Sequence, residues 1–211
     1  MHLVKLDRYQ NSGHLTPSLR CPSCRQMGTF EALTNISDVH VLGQSQQWLG
    51  SKRCPNPKCR AHVFVVLDQN QTLVRSYPAE LIDFDAANVP KAIADTFEEA
   101  LICHAEECYV ACAIMIRRTL EVLCDDKSAQ GSNLRDRVAA LRSKVVLPNE
   151  LFSAMDELRL LGNDAAHIEA KTYDAIGKEE TEVALTLTKE ILKGVYQLDE
   201  LVNRLKALKK P

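Results

Sequence analysis

The chain has 211 residues, 45% of them hydrophobic, and a formal net charge of −2 at pH 7. That length suits one large or two small domains, and the near-neutral balance excludes a protein that coats nucleic acid in bulk. No apolar run reaches the roughly 20 residues of a membrane span, and Met1-His2-Leu3-Val4-Lys5-Leu6-Asp7 has no signal-peptide pattern, so a cytoplasmic protein without membrane association is expected.

The charge is divided unevenly. Residues 1–77 carry nine Lys and Arg against four Asp and Glu, +5, whereas residues 78–211 carry 17 against 24, −7. A basic N-terminal part is a weak sign of an anionic partner.

Residues 1–20 are poorly patterned and contain Gly13 and Pro17, so irregular structure or an edge strand is expected. After Cys21-Pro22-Ser23-Cys24, the stretches 29–33 and 38–42 read as short strands. Gln46 to Leu49 leads into Cys54-Pro55-Asn56-Pro57-Lys58-Cys59. Ala61 to Leu67 is β-branched and apolar. Asp68-Gln69-Asn70-Gln71 then turns the chain into Thr72 to Tyr77, a hairpin signal. The apolar content is too thin for a self-sufficient core, so a staple is required.

Two Pro-containing knuckles, Cys21/Cys24 and Cys54/Cys59, lie 29 residues apart. Four thiolates close a tetrahedral zinc site with no open coordination position. The spacing predicts a structural zinc in a zinc-ribbon-like β domain over residues 1–77. Free thiols and a redox Cys-x-x-Cys are the alternatives, and both leave Cys54 and Cys59 unexplained. His40 and His62 are further candidate ligands, though histidines beside strands are more often bystanders. Zinc with four thiolates carries −2, which trims the local charge from +5 to about +3.

Residues 78–89 read as a linker. From Pro90 the period becomes helical, giving a mostly α-helical domain over 90–211 and an α+β chain overall. Ile93, Phe97, Ala100 and Leu101 share one face of a first helix. Tyr109 to Leu123 is a second. Ser132 is the expected N-cap of a third, which carries Leu134, Val138 and Leu141 and ends at Pro148. Leu151, Met155, Leu158 and Leu161 mark a fourth. A long final helix shows Val183, Leu187, Ile191, Val195, Leu198, Val202 and Leu205. Short loops between helices argue for an antiparallel bundle. Cys103, Cys108, Cys112 and Cys124 read as small hydrophobes within it.

One stretch of the fourth helix stands out. Arg159, Asn163 and His167 are spaced by four, a slanting ridge on a helix. Gly162 interrupts the pattern at a cost of about 1 kcal/mol against Ala, and Ala165 and Ala166 flank it. Small residues admit another backbone, and what approaches them is either a substrate or another helix.

Three stretches together carry a family resemblance. Val89-Pro90-Lys91-Ala92-Ile93 leads to Phe97-Glu98-Glu99-Ala100; Ala113-Ile114-Met115-Ile116-Arg117-Arg118-Thr119-Leu120-Glu121 follows; Leu158-Arg159, Gly162-Asn163 and Ala165-Ala166-His167 close the set. Over residues 88–205 the chain resembles a bacterial domain-of-unknown-function family of the HEPN superfamily (higher eukaryote and prokaryote nucleotide-binding helical bundles). That family occurs beside restriction and phage-defence proteins, commonly with an N-terminal zinc ribbon. The resemblance implies a HEPN-like bundle, a homodimer formed through it, and a metal-independent endoribonuclease with Arg159 and His167 as the Arg–His pair. A His takes a proton near neutral pH, and an Arg bridges phosphate oxygens. Glu121, one turn from Arg117, would orient them. The sequence departs from the family pattern: seven residues separate Arg159 from His167, a longer interval than the family's, and Leu160 rather than a polar residue follows the Arg. Asn163 would be the displaced polar member.

Two functions follow as expectations. One is a role directed at RNA or another nucleic acid in defence or restriction, as effector or binding module. The other is a non-catalytic adaptor in which the ribbon docks a protein partner and Arg159, Asn163, His167 and Glu121 form a buried lock. Arg117–Glu121 on its own is an ordinary i,i+4 pair.

Overall fold

The computed structural model describes residues 6–42, 46–167, 172–173 and 175–209. It divides into two compact units, Met1–Asp83 and Phe84–Pro211. The chain is α+β, with strands in the first unit and helices in the second. Residues 1–5 of the amino-terminal stretch lie outside the described residues. Among the described residues no helix is long and apolar enough to cross a membrane.

The first unit holds β1 (Tyr9–Asn11), β2 (Ser18–Arg20), β3 (Met27–Thr29), β4 (Glu31–Ala32), β5 (Val39–Val41), β6 (Gln47–Arg53), β7 (His62–Leu67) and β8 (Leu73–Tyr77). β2 and β3 form an antiparallel ribbon. The others form one antiparallel sheet in the order β1-β5-β6-β7-β8, with β4 also on β6. β4 and β5 lie end to end along β6, opposite Lys52–Arg53 and Gln47–Leu49 respectively. β1 is thus the edge strand expected within the first 20 residues. The β7–β8 hairpin forms where Asp68 was expected to turn the chain, and Asp68 Oδ1 accepts the N–H groups of Asn70 and Thr72, each at 2.8 Å. The stretch expected as one strand over 29–33 is two, parted at Phe30, which is fully buried. The main core gathers Phe30 with Leu19, Val63, Val65, Leu67 and the thiols of Cys21 and Cys54.

β6 is the longest strand, and the sequence pattern does not announce it. Its Lys52 is buried, and Nζ lies 2.6 Å from both carboxylate oxygens of Asp38. Asp38 also accepts the Leu15 N–H at 2.6 Å, and a Cβ on Gly50 would overlap its carboxylate. An ion pair therefore occupies the interior, where strand propensity would place a β-branched residue.

The second unit holds α1 (Lys91–Ala105), α2 (Tyr109–Asp126), α3 (Leu134–Leu141), α4 (Asn149–Ala166), α5 (Lys178–Tyr196) and α6 (Leu198–Ala207). α2 packs on α1, α4 and α5. Ile93, Phe97, Ala100 and Leu101 are the buried residues of α1, as their spacing predicts. Three expectations change. The N-cap of α3 is Asn133 rather than Ser132: its backbone is extended and its side chain accepts the Asp136 N–H at 3.0 Å. α3 also ends at Leu141, well short of Pro148. The long final helix is interrupted at Gln197.

The buried stripe of α5 differs from the expected one. It runs through Thr181, Ala184, Leu185, Thr188, Ile191 and Leu192, while Val183 is 56% exposed. Thr181 and Thr188 each return their hydroxyl to a carbonyl of the preceding turn, Gly177 and Ala184, at 2.8 Å. With that donor satisfied, a threonine packs as a small apolar residue. Cys112 and Cys124 are buried, as expected of small hydrophobes, whereas Cys108 is exposed.

Removing the ammonium from the buried pair should expose its cost. Lys52→Met leaves Asp38 as an uncompensated interior charge, so the first unit should lose about 3–5 kcal/mol. The single tryptophan, Trp48, sits in β6 and reports on this unit. Its fluorescence in a denaturant titration of the full chain should show an earlier transition; an unchanged midpoint would mean that the pair contributes nothing.

Candidate metal centre and the α4 ridge

The sulfurs of Cys21, Cys24, Cys54 and Cys59 all lie within 4.8 Å of one another. Two turns built alike present them. In the first, the Cys21 carbonyl accepts the Arg25 N–H at 2.9 Å, and Arg25 has φ +61°. In the second, the Asn56 carbonyl accepts the Arg60 N–H at 3.0 Å, and Arg60 has φ +50°. Cys24 and Cys59 occupy matching positions just before those left-handed residues. Asn56 stands where Cys21 stands, and Cys54 comes two residues earlier, at the end of β6, where its N–H donates to the Ala61 carbonyl at 2.8 Å. This accounts for the wider spacing of the second pair. Asn56 Nδ2 donates to Gln26 Oε1 at 3.0 Å and links the turns. A Cβ on Gly28 would come within 2.7 Å of Pro55 Cγ, so the close approach of the turns needs glycine there.

Two sulfur approaches cross between the turns, Cys21–Cys59 and Cys24–Cys54, both 3.8 Å. A tetrahedron with metal–sulfur bonds of about 2.3 Å has an edge of about 3.8 Å. A disulfide needs about 2.05 Å, and all four cysteines are free. A redox Cys21–Cys24 pair alone would leave Cys54 and Cys59 unexplained, whereas all four sulfurs gather here. The arrangement fits a tetrahedral metal ion bound by four sulfurs. Burial pushes the Cys54 thiol up to about 12 and raises Cys21 as well, while the Ala61 N–H draws Cys59 down to about 7. A bound cation would be what ionises the buried pair. His40 instead stacks on Trp48, ring centroids 4.1 Å apart, and His62 lies exposed on β7; neither belongs to the cluster.

The α4 ridge is divided. Gly162 is buried against α2, and a Cβ there would overlap the Arg117 Cβ and lie 3.1 Å from the Ala113 carbonyl oxygen. What approaches the small residue is therefore a neighbouring helix. Arg117 spans the crossing: its Nε lies 3.2 Å from Glu121 Oε1, and its Nη1 donates to the Arg159 carbonyl at 3.3 Å. The Arg159 side chain is 21% exposed, with Nε 3.6 Å from Asp156 Oδ1. That Nε is buried and makes no hydrogen bond among the described residues.

Asn163 is partly exposed, and its carbonyl accepts the His167 N–H at 3.0 Å. His167 lies beyond the last helical residue, extended at φ −130°, ψ 118°, and is exposed. The expected three-residue ridge therefore stops at Asn163. A neighbour that the sequence reading passed over explains the early end: Asp164 accepts the N–H groups of Thr172 and Tyr173, which ties the returning chain to the last turn of α4. Among the described residues no hydrogen bond joins the side chains of Arg159, Asn163, His167 and Glu121, so the buried network expected of them does not form.

The family described as "Domain of unknown function (DUF4145)" matches residues 98–209, and the chain belongs to that family. Neither a curated protein nor a solved structure matches the chain.

Gly162→Ala separates packing from helix propensity. Propensity alone would favour Ala by about 1 kcal/mol. The overlap with Arg117 should reverse the sign and destabilise the helical unit by roughly 1–3 kcal/mol. Thermal unfolding followed by far-UV circular dichroism should show a lower midpoint; a higher one would mean that the crossing is loose.

Proposed function

We propose that the chain is a non-catalytic adaptor: a β unit stapled by a structural zinc, joined to a helical DUF4145 unit in which Arg117 and the Arg159 carbonyl serve packing. The close crossing at Gly162 carries this reading, because it commits Arg117 and the Arg159 carbonyl to holding α2 against α4. A ribonuclease of the HEPN type would need Arg159 and His167 to meet one phosphate. Helical rise over an eight-residue interval sets them about 12 Å apart along the axis, one partly buried and the other exposed beyond the helix end.

Zinc is favoured among metals by the donor set. Four thiolates in a tetrahedron suit it, and such a site has no open position for chemistry. The surface of the β unit suits a protein partner better than nucleic acid. Of its nine cations, Lys52 is buried on Asp38, Arg53 pairs with Glu31 at 2.5 Å and Arg20 lies 3.7 Å from Asp83. With these three engaged and a four-thiolate zinc site carrying −2, the net positive surplus of the β unit is small, so any binding to nucleic acid would show a shallow salt slope. The exposed Phe64–Tyr77 ring pair on β7 and β8, centroids 6.5 Å apart, offers an aromatic contact of the kind enriched at protein interfaces.

Two measurements bear on this reading. Elemental analysis of protein purified without chelator should find one zinc per chain; iron, or no metal, would reject the assignment. Incubation with single-stranded RNA should leave the RNA intact, and His167→Ala should keep the thermal midpoint of the wild type. Cleavage by the wild type that disappears in an equally stable His167→Ala variant would restore the effector reading.

A further inference from the structure

We propose that Cys103 and Cys108, at the turn between α1 and α2, form a thiol modification site that exchanges with a small disulfide of the glutathione class and closes into an intramolecular bridge. All four cysteines of the helical unit read in the sequence as small hydrophobes, and Cys112 and Cys124 are buried accordingly. Cys108 is exposed and Cys103 only partly buried, so hydrophobic packing does not account for the exposed thiol.

The turn that joins the two helices sets the pair side by side. α1 ends in a Schellman motif: the Cys108 N–H donates to the Cys103 carbonyl at 2.8 Å, and the Glu107 N–H to the His104 carbonyl at 3.0 Å. Glu107 supplies the left-handed residue, φ +62°. Cys103 and Cys108 hold the two positions of this motif whose side chains commonly meet in a small apolar contact. Standard peptide geometry leaves at most about 6.5 Å between α-carbons joined by one such bond, inside the upper limit of roughly 6.8 Å for a disulfide.

The sulfurs are placed unequally. Burial raises the pKa of the Cys103 thiol, and the neighbouring Cys108 and then Glu99 raise it further. The Cys108 Sγ lies 3.6 Å from the Glu106 carbonyl oxygen, a weak contact on the exposed side of the turn. The bridge requires Cys108 to leave that contact by rotation about χ1. Cys112 lies one turn along α2 from Cys108, but it is fully buried, and burial pushes its thiol up to about 12. Among the described residues, the one group of His, Cys, Asp and Glu side chains gathered closely enough for a metal is the four-cysteine cluster of the β unit. The pair at the α1–α2 turn belongs to no such group.

The exchange balances as two displacements. The Cys108 thiolate attacks one sulfur of the small disulfide, whose S–S bond breaks and releases a thiolate. Cys103 gives up its proton, attacks the Cys108 sulfur of the mixed disulfide and expels the second thiolate. The two protein thiols lose two electrons, and the small disulfide is reduced to two thiols, which take up the two protons. The exposed sulfur thus meets the reagent, and the partly buried one resolves the adduct. This inference is independent of the zinc and of the adaptor reading.

The test is peptide mapping of the full chain, its metal retained, after incubation with glutathione disulfide and quenching in acid. Cleavage after glutamate and arginine separates Cys103 from Cys108 and Cys112. The Cys103 and Cys108 peptides should appear joined, lighter by one hydrogen per sulfur, and dithiothreitol should part them. Cys103→Ser should instead keep a glutathione adduct on Cys108, and Cys108→Ser should leave Cys103 unmodified. The wild-type map stands without either variant. A wild-type chain that holds a lasting adduct on Cys108, that joins Cys108 to Cys112, or that leaves both thiols free would overturn the proposal.

Discussion

Four cysteine sulfurs within 4.8 Å of one another are the constraint on which the β unit depends. Two of the four, Cys21 and Cys54, are part of its core beside Leu19 and Phe30, so the site is continuous with the packing. Two left-handed arginines, a Gly28–Pro55 approach and the Asn56–Gln26 hydrogen bond all hold the turns in register. Non-glycine residues in the left-handed region cost free energy and persist where the surroundings over-determine them. In the proposed zinc form the metal supplies that surplus, and its binding free energy becomes folding free energy. The buried Asp38–Lys52 pair is the second fixed point, joining the irregular segment before β5 to the middle of the sheet.

The helical unit is governed by a different constraint, the approach of α4 to α2 at Gly162. Arg117 covers that glycine, reaches Glu121 along its own helix and bonds the Arg159 carbonyl across the gap. A guanidinium used in this way fixes the crossing through its stem as well as its charge. Of the residues that look reactive in the sequence, Arg117 is the one placed between the two helices, and Arg159 meets it through its backbone carbonyl. Asp164 then ends α4 by binding the chain that follows, which leaves His167 on the surface.

The sequence made some of this legible. The four-cysteine cluster could be read from spacing, because two Pro-containing knuckles have few other uses. The β7–β8 hairpin was clear from its β-branched run and its polar turn, Asp68 to Gln71. β6 was not, since Gly50 and Lys52 interrupt strand alternation and their reason, Asp38, lies in another strand's approach. Gly162 was visible as an anomaly, but its cause is tertiary: nothing local tells that Arg117 will rest on it. The face of α5 was misread for a chemical reason. Thr181 and Thr188 look polar in sequence and become apolar once their hydroxyls bond the preceding turn. The end of α4 was missed because Asp164 acts on backbone donors well further along the chain.

The claim that the four-sulfur centre is a closed structural site, with no coordination position for substrate, is open to one direct measurement. X-ray absorption at the zinc edge of the purified full chain resolves the atoms around the metal. The account predicts four sulfur scatterers at about 2.3 Å and no oxygen or nitrogen in the same shell. A shell of three sulfurs with one light atom, showing a position open to water or substrate, would contradict it.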